Sequence, residues 1–94
     1  MKTATENMLN FVPVQGQTDV YISEPYKIVR YDWSRVNGCL VEKPCWIAYH
    51  RVYDRHTKKM LFGDAVEKTG LYESKSYLTK EEAIAACYRH LQNK

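Results

Sequence analysis

Cys39, Cys45, His50 and His56 fall within 18 residues of one another, and they are the ligand types that zinc takes. Their spacing does not suit the metal. Five residues separate the cysteines, four precede His50 and five separate the histidines, which matches no common structural-zinc pattern. If 45–54 is one strand, Cys45 and His50 point to opposite faces and stand ~16 Å apart along it. The set reads as two small buried thiols and two surface imidazoles, with no metal site and no cofactor expected. Cys87 reads as packing.

Catalytic pairings fare no better. His50 and Asp54 share a strand face, but ~13 Å of extended chain lies between them, too far for one to orient the other. No nucleophile signature surrounds a cysteine. The four glycines are scattered singly rather than gathered into a phosphate-cradling loop. A non-enzyme is expected.

Charge and aromatic residues say more. The chain is +3 overall, a mild bias that names no partner. Residues 26–62 carry eight Lys/Arg against Asp32, Glu42 and Asp54, a local +5, whereas the first 25 residues sum to −2. Four of the eight tyrosines, Tyr26, Tyr31, Tyr49 and Tyr53, fall in the same segment. Tyr49, Arg51, Tyr53 and Arg55 alternate along one strand face, with Lys58 and Lys59 following. Tyrosine and arginine on a sheet can anchor a protein partner, or stack bases and pair phosphates. The bland reading is a solvated face whose rings pack on arginine stems. These six residues form the candidate binding site.

The elements that must position them follow from periodicity. Residues 1–17 are polar and unpatterned, a flexible or edge-covering arm in which Pro13 forbids a central strand. Asp19–Ile22 and Tyr26–Trp33 alternate as strands. Asn37-Gly38 marks a turn, and 39–44 carries at most a short edge segment before Pro44. Cys45–Asp54 has large side chains on both faces and should lie centrally. Asp54–Lys59 reads as a hairpin loop returning into Met60-Leu61-Phe62. Gly63-Asp64 breaks the pattern, and Leu71–Tyr77 alternates again. Thr79 and Glu82 form a capping box, with Leu78 and Ala83 at the staple positions. Ile84, Cys87, Tyr88 and Leu91 then make one apolar stripe over a helix from about Lys80 to Gln92.

The predicted fold is therefore α+β: an antiparallel sheet of four to five strands with one C-terminal α-helix packed on one face. Residues 18–94 form a single α+β domain. Its core should join Tyr77, Ile84, Cys87, Tyr88 and Leu91 to Ile28, Ile47, Tyr49, Val52 and Leu61. The sheet face away from the helix is the expected working surface.

The β-β-β-α order over 44–92 is loosely similar to that of a double-stranded-RNA-binding domain. That family has a helix before its first strand and a lysine cluster opening its last helix. Here the last helix opens Lys80-Glu81-Glu82, so the likeness is one of topology and carries no function.

No run approaches the ~18–20 apolar residues that a spanning helix needs, and the N-terminal residues lack the apolar core of a secretory signal. Three cysteines form no complete disulfide framework, which suits a reducing, cytoplasmic setting. A Cys39–Cys45 bridge around Pro44 is the alternative. The expectation is a small non-enzymatic binding protein that occupies a macromolecular partner, most readily a protein. Small tyrosine-rich single domains of this kind are frequent among phage and mobile-element inhibitors of host systems, anti-CRISPR proteins included. The alternative is a nucleic-acid-binding domain using the hairpin 45–62. A homodimer paired through an edge strand, Met60–Gly63 or the segment before Pro25, is a third expectation.

Overall fold

The structure, a computed structural model, describes residues 9–70 and 73–93. In chain order the strands are β1 (Val12–Pro13), β2 (Val20–Ser23), β3 (Tyr26–Tyr31), β4 (Ser34–Val36) and β5 (Cys39–Val41). There follow β6 (Cys45–Asp54), β7 (Lys59–Ala65), β8 (Lys68–Thr69), β9 (Glu73–Ser74) and β10 (Ser76–Tyr77), and the chain closes with α1 (Lys80–Gln92). One antiparallel sheet runs β1-β2-β3-β6-β10, with β7 pairing the outer part of β6. The hairpins β4–β5 and β8–β9 are separate two-stranded sheets. This is the α+β fold the sequence predicts, with β6 central and one helix laid across a face.

Register decides which side chains the helix covers. Ile28 stands opposite Ala48, and Tyr26 opposite His50. Opposed residues in an antiparallel pair share a face, so the even-numbered positions of β6 lie under α1. Ala83, Ala86 and Cys87 are fully buried against Tyr26, Ile28, Ala48 and Tyr77. Their small side chains let the helix axis approach the sheet closely. Ile84 and Leu91 flank this cluster, as do Trp46 and Tyr21 from the sheet. Ile47 and Tyr49, expected among the helix's partners, occupy the opposite face because their parity is odd. Leu61 is 40 % exposed and also stands outside the core.

The helix start is built as its sequence demands. Thr79 is extended, and its hydroxyl accepts from the Glu82 amide at 3.1 Å. The Glu82 carboxylate reaches back to the Leu78 amide at 3.4 Å. The staple does not close: Ala83 is buried, but Leu78 is 65 % exposed. At the other end Arg89 and His90 complement the negative end of the helix dipole.

The arm ends as an edge strand. Val12 pairs with Ile22 and Pro13 with Tyr21, a position where proline's missing amide costs no ladder bond. Leu9 and Phe11 pack on the core cluster. The Leu9 amide donates to the Tyr88 hydroxyl at 2.8 Å, tying the arm to the helix. Residues 1–8 of the arm lie outside the described residues.

Two local readings change. Gly63-Asp64 does not stop β7: Asp64 pairs with His50 and Phe62 with Arg51, leaving Gly63 as the extra residue of a β-bulge. A Cβ at Gly63 would sit 3.0 Å from Val52 Cγ2, so a larger residue there would require Val52 to shift. Leu71–Tyr77 is not one strand. Glu73–Ser74 pairs β8 and Ser76–Tyr77 pairs β6, while 71–72 lie outside the described residues.

Candidate functional site

The face away from the helix carries a groove. Its floor is Tyr31 from β3 and Ile47 from β6, with a volume of about 370 Å³. One wall is Trp33, Arg35 and Leu40, and the other is Glu73 and Ser74. The volume falls within the ~300–1,000 Å³ of sites that take ligands or inserted side chains.

Local chemistry explains the hairpin wall. Asn37 and Gly38 have φ of 50° and 82°, the two positive values of a type I′ turn, whose twist matches that of paired strands. Val36 therefore faces Cys39, and Arg35 faces Leu40 on the groove side. Ser34 is buried at the base and donates to the Lys43 carbonyl at 2.6 Å. The Cys45 thiol donates to the Trp33 carbonyl at 3.6 Å. With its ends held, the hairpin presents Trp33 and Leu40 at 52 % and 62 % exposure, beside exposed Tyr31, Val36 and Val41. Tyr31, Trp33 and Leu40 line the groove, whereas Val36 and Val41 alternate with Arg35 and Leu40 along the hairpin and stand on its other face.

Three polar side chains of the groove, Tyr31, Arg35 and Glu73, are paired. Arg35 Nε lies 3.5 Å from Glu73 Oε1, linking the two walls. The Tyr31 and Tyr49 hydroxyls are 2.8 Å apart, and burial followed by this bond pushes the Tyr49 phenol above its ordinary value. Trp33, Leu40 and Ile47 give the groove an apolar lining, and Tyr31, Arg35, Glu73 and Ser74 supply its polar groups.

The residues singled out in the sequence divide. Tyr49 lies half-buried behind the groove. Arg51 is committed to structure: Nε and Nη2 bind the two Glu24 oxygens at 2.6 and 2.7 Å, and Nη1 donates to the Met60 carbonyl. Its guanidinium also sits 4.0 Å over the Phe62 ring. These hydrogen bonds hold the Glu24 carboxyl below its usual range. Tyr53, Arg55, Lys58 and Lys59 remain exposed at the far end of the β6–β7 hairpin. The local +5 is thus partly cancelled by acids from outside the segment, Glu24 on Arg51, Glu73 on Arg35 and Asp19 at 3.8 Å from Arg30.

The zinc-type residues do not gather. Cys39 is exposed and free, contrary to the buried thiol expected of it, and Cys45 is buried and free. His50 stacks on His90 with ring centroids 4.5 Å apart, and its Nε2 lies 3.5 Å from the Asp64 carboxylate. His90 Nδ1 and the Tyr26 hydroxyl are 2.8 Å apart. This cluster fastens the helix end to the sheet. Among the described residues no group of three or more His, Cys, Asp or Glu is placed to hold a metal ion. Burial raises the Cys87 thiol to about 12, far from a reactive thiolate.

Sequence reading missed Trp33, Arg35, Leu40, Glu73 and Ser74. An Asn-Gly pair flanked by Ser-Arg-Val and Cys-Leu-Val was the available signal for the hairpin. No local signal links that hairpin to β9, because the contact joins residues almost forty positions apart.

No helix among the described residues is long and apolar enough to cross a membrane. No protein-family model matches the chain, and no curated protein or solved structure is significantly similar to it.

Proposed function

We propose that the protein is a non-enzymatic binding module that acts by occupying a protein partner, with the groove between β4–β5 and β9 as its contact surface. The observation that carries this reading is the exposure of Trp33 and Leu40 at the mouth of a preformed groove. Tryptophan, tyrosine and arginine dominate protein–protein hot spots, and Trp33, Tyr31 and Arg35 converge here. A partner would insert one apolar side chain between the walls and leave the Arg35–Glu73 pair at the rim. Occupation of a partner's surface is also the mode of action open to an inhibitor of a host system, a reading that rests on composition.

The test is affinity capture with three forms of the protein. Trp33→Ala/Leu40→Ala should lose the captured partner, since each anchor contributes about 2 kcal/mol or more when truncated. Tyr53→Ala/Arg55→Ala should retain it. Both residues of the first pair are more than half exposed, so its thermal stability should stay near that of the wild type. Retention of the partner by Trp33→Ala/Leu40→Ala, with loss in Tyr53→Ala/Arg55→Ala, overturns the assignment.

A further inference from the structure

Beyond His50, β6 leaves β3 behind and pairs only with β7, so residues 51–62 form a two-stranded antiparallel ribbon. Its base is neutral, because Arg51 is tied to Glu24. Its tip is not. Arg55, Lys58 and Lys59 are exposed, and among the described residues no ion pair involves any of them. Asp54, whose Oδ1 accepts from the His56 amide at 2.8 Å, stands opposite Lys59 across the ribbon, so the tip sets three cations against one carboxylate.

Lys58 has φ of 61°, in the left-handed region, and its amide donates to the Asp54 carbonyl at 2.7 Å to close the turn. Glycine or asparagine is the residue such a position favours. A lysine held there keeps a cation at the tip against local conformational preference, and such outliers cluster at functional positions. Beside it, Tyr53 and Met60 oppose one another across the ribbon, exposed at 57 % and 51 % on one face.

From this we infer that the ribbon is a second interaction surface, distinct from the groove, and that it takes duplex DNA. The major groove of B-DNA, about 12 Å wide, admits a two-stranded β-ribbon. The three tip cations would meet phosphates along its walls, and the Tyr53–Met60 face would meet base edges by apolar contact. Phosphate contacts of this kind bind without reading sequence. Along β6 the tip and the groove floor are six residues, ~20 Å, apart, so DNA and a protein partner need not compete.

The probe is a fluorescently labelled duplex of about 20 base pairs, titrated by anisotropy between ~50 and ~200 mM salt. Three neutralised phosphates give a slope of log affinity against log salt of about −2.7, roughly a 40-fold loss over that range. Arg55→Gln/Lys58→Gln/Lys59→Gln should abolish both the low-salt binding and the slope. Lys58→Gly should reduce the slope by about 0.9 while leaving the melting temperature no lower, which separates lost charge from lost fold. No binding at the lowest salt, an unchanged slope in the triple variant, or tighter binding of the corresponding single strand would each overturn the inference.

Discussion

Glu67→Gln is expected to lower stability at neutral pH by about 1–3 kcal/mol and to remove a segment of the acid-unfolding curve. Glu67 joins the loop after β7 to both the sheet and the helix. Its carboxylate accepts from Arg89 Nε and Nη2, each at 2.9 Å, and from the Tyr77 hydroxyl at 2.6 Å. The Arg89 hydrogen bonds, aided by Tyr77, draw its pKa from an ordinary 4.5 down to about 2. A depressed carboxylate stabilises the fold at every pH above the unfolded value, and that contribution disappears as pH falls from about 4.5 towards 2. The full shift corresponds to about 3 kcal/mol at ~1.4 kcal/mol per unit, reduced because Arg89 is half exposed. In the variant the amide nitrogen faces Arg89 with no charge to offer. Urea unfolding at pH 7 and at pH 3 reads both effects: the wild type should lose much of its advantage over Glu67→Gln at the lower pH. A difference that is the same at both pH values would contradict this account of the ion pair.

Ile28→Ala should cost about 2–5 kcal/mol, the range for emptying a closed core site. Ile28 is fully buried between Tyr21 and Ala48 in the sheet and beneath the helix residues Ala83, Ala86 and Cys87. Its fully buried neighbours from β6 and α1, Ala48, Ala83, Ala86 and Cys87, are small and have little side chain to move into the space. A domain of this length has only about 5–14 kcal/mol in total, and the loss would move the urea midpoint by a large fraction. Ile47→Ala provides the contrast, because that side chain lies on the groove floor, half-buried on the other face. Equal losses from the two substitutions would mean that the helix does not rest on the even-numbered face of β6.

Local signals carried the elements, and pairing carried the site. The helix from Lys80 to Gln92 was legible because its cap, its acidic first turn and its apolar stripe all occupy one stretch of chain. The alternation of Tyr26–Tyr31 and of Cys45–Asp54 gave two strands for the same reason. Which face of β6 meets the helix was not legible. Ile47 and Tyr49 are larger and more apolar than Ala48, and only the close approach allowed by Ala83 and Ala86 explains why the smaller residue is the one buried. Arg51 reads as a surface cation until Glu24, across the β2–β3 connection, is seen beside it. The groove needs the β4–β5 hairpin, β6 and β9 together, and that juxtaposition is set by tertiary packing. Lys58 stands out in the sequence by its charge alone, whereas its left-handed backbone appears only in the folded turn.

Amide hydrogen exchange on the complex with the captured partner tests the central claim most directly. Binding in the groove should slow exchange at residues 31–41 and 73–74, with the tip at 53–60 and the outer face of α1 exchanging as in the free protein. Protection confined to α1 or to the ribbon tip, with 31–41 unchanged, would contradict it.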